Sequence, residues 1–110
     1  MNNKENENDN SDEYDESWDY QTDSMNHLIY RGITDFITID GFDDCIIGCY
    51  EGFSSSGLVY SKNEIIQTMI ERDGMTLEDA LEFYDFNIAG AYVGNNMPVF
   101  LTFTEGVDDV

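Results

Sequence analysis

Basic residues are the scarcest class in this sequence: four Lys and Arg stand against 24 Asp and Glu in 110 residues, a net charge of −20. A field of that sign repels nucleic acids and anionic membranes and attracts basic surfaces. Direct nucleic-acid binding is therefore disfavoured, and a cationic partner is expected. No run of 18 apolar residues is present, so no membrane span is predicted. The start, Met1-Asn2-Asn3-Lys4-Glu5, lacks the apolar stretch of a signal peptide, and the protein is expected to stay in the cytoplasm where it is made. The two cysteines, Cys45 and Cys49, lack the second pair of ligands that a structural zinc needs. In a strand their Cα atoms would be roughly 13 Å apart, too far for a bridge. In a helix they would be near enough. Without an export signal both are read as free, small apolar residues.

What is present suffices for one modest domain. Hydrophobic residues make up 41% of the chain and aromatics 14%. The acid is not confined to one end. Residues 1–24 hold nine acids and Lys4, while residues 25–110 hold fifteen acids against Arg31, Lys62 and Arg72. Residues 1–24 combine few apolar residues with high charge, which predicts a disordered acidic tail. That tail carries Tyr14, Trp18 and Tyr20, and spaced aromatics in an acidic segment can dock on a basic, partly apolar groove.

Order is expected from about residue 25. His27-Leu28-Ile29-Tyr30 reads as a short strand or a core edge. Phe36-Ile37-Thr38-Ile39 is strand-like and ends at the turn signal Asp40-Gly41. In Phe42-Asp43-Asp44-Cys45-Ile46-Ile47-Gly48, either the two Asp cap a short helix or a strand runs through Cys45–Tyr50. Gly52 to Gly57 is a loop, and Leu58-Val59-Tyr60 a short strand. Ser61-Lys62-Asn63-Glu64 is a capping box that should open a helix to about Arg72, with Ile65, Ile66, Met69 and Ile70 inward. Asp73-Gly74 ends it, and Thr76 caps a second helix with Ala80, Leu81, Tyr84 and either Phe83 or Phe86 inward. Gly90–Gly94 breaks that helix, Pro98–Phe103 reads as a final strand, and Glu105–Val110 as a frayed end. The predicted fold is α+β: a small sheet with an αα-hairpin packed on it.

The block from Phe42 to Gly48 resembles one found in small uncharacterised acidic proteins of tailed phages and related viruses. So do Val59-Tyr60 leading into Ile65-Ile66, Asp73-Gly74-Met75-Thr76, Glu78–Glu82, Phe86-Asn87, Gly90–Gly94 and Pro98-Val99-Phe100. The likeness spans residues 42–101. It departs from the family pattern at Asn95-Asn96, where an acid is expected, and in the acidic N-terminal extension. The resemblance implies a viral origin. That family has no assigned activity, so it transfers no functional residue.

Catalytic chemistry finds little support. His27 is expected to be exposed, Ser54-Ser55-Ser56 lacks a nucleophile-elbow spacing, and Gly90–Gly94 lacks the Lys-Ser/Thr of a phosphate loop. Residues 9–20 offer acids without the central Gly of a calcium loop. No cofactor or metal is expected. The acids themselves are the candidate site. Glu78, Glu82 and Asp85 fall at i, i+4 and i+7, one exposed helical stripe with about 5–6 Å between turns. Duplex DNA carries about one charge per 1.7 Å of axis, so this stripe approaches phosphate density only if Asp43, Asp44, Glu51, Glu64, Glu71 and the tail acids lie on the same side.

Two readings follow. In the first, the protein is a non-enzymatic viral inhibitor that mimics DNA and occupies the nucleic-acid site of a basic host protein such as a nuclease, a defence complex or a polymerase. In the second, it is an acidic adaptor that docks through Tyr14, Trp18 and Tyr20. The oligomeric state is left open.

Overall fold

A computed structural model of the protein describes residues 19–104. In chain order it contains α1 (Tyr20–Tyr30), a 3-10 turn (Asp43–Cys45), β1 (Ile46–Glu51), β2 (Ser56–Ser61), α2 (Lys62–Asp73), α3 (Leu77–Phe83), a π turn (Tyr84–Ala89) and β3 (Val99–Leu101). The strands form one sheet in the order β1-β2-β3, antiparallel between β1 and β2 and parallel between β2 and β3. The fold is α+β, with the α2–α3 hairpin filling the crossover between the two parallel strands. The expected disorder of residues 1–18 and fraying of 105–110 lie outside the described residues.

The first departure from the sequence reading is α1. Residues 20–24, expected within the disordered tail, are helical, and so is 27–30, expected as a strand or core edge. Asp19 caps the helix: its carboxylate accepts from the Thr22 amide at 3.1 Å and from the Thr22 hydroxyl at 2.7 Å. Leu28 is fully buried and Ser24, one turn before it, nearly so. A stripe this narrow leaves little trace in the composition of the segment, because one apolar anchor suffices once the cap holds the first turn.

The ambiguous block resolves into both alternatives in succession. Asp43–Cys45 is a single 3-10 turn and Ile46–Glu51 is a strand. A one-residue register shift between Ile46 and Gly48 in the β1–β2 ladder marks a bulge. Phe36–Ile39, expected to be strand-like, joins no ladder. It is fixed by the Ile37 amide donating to the Asn96 carbonyl and by the Ile39 amide donating to the Tyr60 hydroxyl at 2.8 Å.

Of the capping box that opens α2, the Ser61 half forms, whereas no return bond from the Glu64 carboxylate is present among the described residues. The Ser61 hydroxyl accepts from the Glu64 amide at 3.1 Å. Gly74 closes the helix at φ 74°, in the left-handed region. The Thr76 hydroxyl then accepts from the Asp79 amide at 3.1 Å and starts α3. Ile65, Ile66 and Met69 are buried, with Ile70 half-buried. The core gathers Leu28, Ile39, Phe42, Cys45, Ile46, Leu58 and Tyr60 around them.

The second departure is the π turn. At 3.6 residues per turn, positions four apart drift by about 40° around the axis. A wider turn reduces that drift, so Ala80, Tyr84 and Ile88 all reach the core. Tyr84 meets the β3 residue Phe100 edge-on, with ring centroids 5.5 Å apart. Neither Phe83 nor Phe86 joins them: both are exposed, Phe86 by 74%.

Asn96 ties the remaining loops together. It is the one non-glycine among the described residues with positive φ (59°). Its amide donates to the Ser55 hydroxyl, its side-chain oxygen accepts from the Ser56 amide, and its side-chain nitrogen donates to Asp35. Asn tolerates this backbone better than other side chains because it can bond locally. The same crowding explains Gly57. A Cβ there would lie 2.9 Å from the Met97 carbonyl oxygen and 3.1 Å from the Tyr50 ring.

Candidate partner-binding surface

The described residues hold fourteen carboxylates and three basic side chains, leaving eleven negative charges in excess. Each basic side chain is turned on the chain itself. Arg31 lies 3.4 Å from Glu51, on the carboxylate oxygen that also meets His27 at 3.0 Å. Arg72 donates twice to Asp73 and once to the Gly41 carbonyl, and its guanidinium stands 5.0 Å from the centre of the Phe42 ring. That hydrogen bonding holds the Asp73 carboxyl below its ordinary range. Lys62 sits over the Tyr84 ring at 4.9 Å.

The seven carboxylates expected to form the site, Asp43, Asp44, Glu64, Glu71, Glu78, Glu82 and Asp85, are all exposed. None is in an ion pair with a described residue. The structure sorts them by element. Asp43 and Asp44 occupy the 3-10 turn, which is held against α2 by Cys45 and Thr68 (3.6 Å) and by Arg72 over Phe42. On α2, Glu64, Thr68 and Glu71 share one face at i, i+4 and i+7. Asp44 and Glu64 thus flank the same buried thiol. Burial pushes the Cys45 pKa up against the lowering effect of the Thr68 hydrogen bond, and both carboxylates push it further. Four of the seven acids therefore border one seam. Along it Glu71 accepts from Gln67 at 2.6 Å.

Glu78 and Glu82 are one turn apart on α3. Asp85 falls in the π turn and not, as the regular spacing predicts, on a continuing α-helix. On the outer side of these elements lies an open groove of 420 Å³, lined by Met75, Asp79, Glu82, Phe83, Phe86 and Asn87. Sequence reasoning missed this groove because it assigned one of the two phenylalanines to the core. The available signal was that Ala80, Tyr84 and Ile88 already fill the inward positions.

Tyr14 and Trp18 lie outside the described residues. Tyr20 is no part of a disordered tail but the first residue of α1, with its side chain 55% exposed.

The thiols suit packing. Cys45 is buried, Cys49 half-buried, and both are free. Burial raises the pKa of each, with Glu51 adding to the effect at Cys49. A nucleophilic thiol needs the opposite shift. Among the described residues, no group of three or more His, Cys, Asp or Glu is arranged to hold a metal ion. No helix among them is long and apolar enough to cross a membrane. No family model matches the chain, and no significantly similar curated protein or solved structure was found.

Proposed function

We propose that this protein is a non-enzymatic acidic inhibitor that mimics DNA and occupies the nucleic-acid site of a basic host protein. One observation carries the reading. Eleven uncompensated negative charges lie on an ordered body whose own cations are all turned inward or onto neighbours. A carboxylate fixed on a folded element meets a cationic surface without first losing chain entropy, and its charge steers the encounter. The seam acids Asp43, Asp44, Glu64 and Glu71 and the α3 acids Glu78, Glu82 and Asp85 supply the anionic points. The likeness to acidic phage proteins supplies the setting, a viral protein acting in the host cytoplasm.

The test uses the full chain immobilised and exposed to bacterial lysate at low salt, followed by elution with duplex DNA and, separately, with high salt. Nucleic-acid-binding proteins should be retained at low salt and released by either eluent. Capture that duplex DNA cannot displace would overturn the mimicry. Neutralising the seam (Asp43→Asn, Asp44→Asn, Glu64→Gln) should weaken capture more than removing residues 1–18. The reverse ranking would favour docking through the acidic extension.

A further inference from the structure

We propose that the groove on α3 and the π turn is an arginine-binding site, which takes a guanidinium presented by an apolar-flanked segment of the partner protein. The proposal rests on the reading of a cationic partner and specifies which cation is recognised, and where.

The groove combines two chemistries that a surface helix usually keeps apart. Phe83 and Phe86 are 41% and 74% exposed and line it with Met75. Asp79 and Glu82 line it too, and neither side chain has a hydrogen bond or ion pair with a described residue. No Lys or Arg occurs between Gly74 and Thr104, so no cation on these elements is close in sequence to neutralise the pair. The π turn keeps this arrangement open. With Tyr84 and Ile88 both directed to the core, Asp85, Phe86 and Asn87 between them are exposed.

The required occupant follows from what each alternative leaves unsatisfied. An apolar ligand would cover Phe83 and Phe86 but would strip water from Asp79 and Glu82 with nothing in return. A nucleic acid or an acidic peptide would be repelled. A lysine would answer the charge as a compact, strongly hydrated point, with less to gain from the rings. A guanidinium is planar, weakly hydrated and rich in donors, so it can lie on an aromatic face while bonding carboxylates at its edge. The 420 Å³ groove also falls in the size range of small-ligand clefts.

The experiment follows backbone amide shifts of the full-length protein during titration with a short capped peptide carrying arginine between leucines. The same peptide with lysine in place of arginine is the comparison. The arginine peptide should shift Met75, Asp79 and the 82–87 amides and bind about tenfold more tightly than the lysine peptide. Phe86→Ala, and Asp79→Asn with Glu82→Gln, should each remove that preference. Phe53→Ala, which truncates a fully exposed ring that does not line the groove, should leave it intact. Equal binding of the two peptides, or an equal loss in Phe53→Ala, overturns the arginine site. Shifts confined to the seam around Cys45 sink the groove and spare the cationic-partner reading. Absence of binding by either peptide at low salt sinks both.

Discussion

The two helices of the hairpin are consecutive and similarly capped, and each carries three acids, but α2 also carries Lys62 and Arg72 whereas α3 carries no base. On α2, Thr68 meets Cys45 of the 3-10 turn, and Arg72, still about half exposed, is engaged by Asp73, Gly41 and Phe42. On α3 and the π turn Phe86 is largely uncovered, Phe83 is partly so, and Asp79 and Glu82 are exposed. What distinguishes α3 is carboxylates left without partners beside aromatic rings left without cover.

Substitutions can break this contrast at several depths. The greatest loss is expected on the buried side of α2. Ile65 is fully buried, and Ile65→Ala should cost about 2–5 kcal/mol by removing methylenes and leaving a cavity. Denaturant unfolding measures it, as a lower midpoint at unchanged slope.

Next comes Tyr60, also fully buried, whose hydroxyl accepts from the Ile39 amide. Tyr60→Phe leaves that donor unsatisfied, at about 1–3 kcal/mol. The same residue sets an alkaline limit. Burial pushes the hydroxyls of Tyr60 and Tyr84 up to about 12, from ordinary values of 10. Between those values the folded state holds protons that the unfolded chain has lost. This contribution is therefore intact below pH 10 and disappears as the pH rises toward 12. Thermal melts across that window should fall, and fall less steeply in Tyr60→Phe. An unchanged slope would show that Tyr60 does not carry the effect.

The two caps should cost less and cost alike. Ser61→Ala and Thr76→Ala each remove one acceptor from a helix start and should each lose about 1 kcal/mol. A much larger loss for Ser61→Ala would reveal an added burial penalty, because Ser61 is wholly enclosed and Thr76 is exposed.

The smallest effect belongs to the outer side of α3. Phe86→Ala should change stability by less than about 0.5 kcal/mol, since the ring makes no core contact. A large destabilisation there would mean that the ring is structural and the contrast between the two helices false.

The parts of the fold legible beforehand are those governed by neighbours in sequence. Ser61, Glu64, Gly74 and Thr76 act within one turn of their own positions, so α2 and the start of α3 could be read directly. The strand at Leu58–Tyr60 and the turn at Asp40-Gly41 were legible for the same reason. The misread elements depend on distant partners. Leu28 anchors a helix only because the core receives it. Phe36–Ile39 has strand-like composition but no strand beside it. For the candidate site, the division of the seven acids between the seam on α2 and the elements α3 and π turn was not legible. That division needs the contact of the 3-10 turn with α2 and the exchange of Phe86 for Ile88 at the inward position.

The charge excess, the helix caps and the apolar stripe of α2 follow from composition and short-range hydrogen bonding, which need no knowledge of the rest of the chain. Long-range packing sets where charge goes unanswered. It turned the three described cations onto their own chain, widened the end of α3 so that Ala80, Tyr84 and Ile88 could all be buried, and left two phenylalanines outside among carboxylates. The physical reason is that burial is a competition for limited core volume, and its outcome at any one residue depends on all the others.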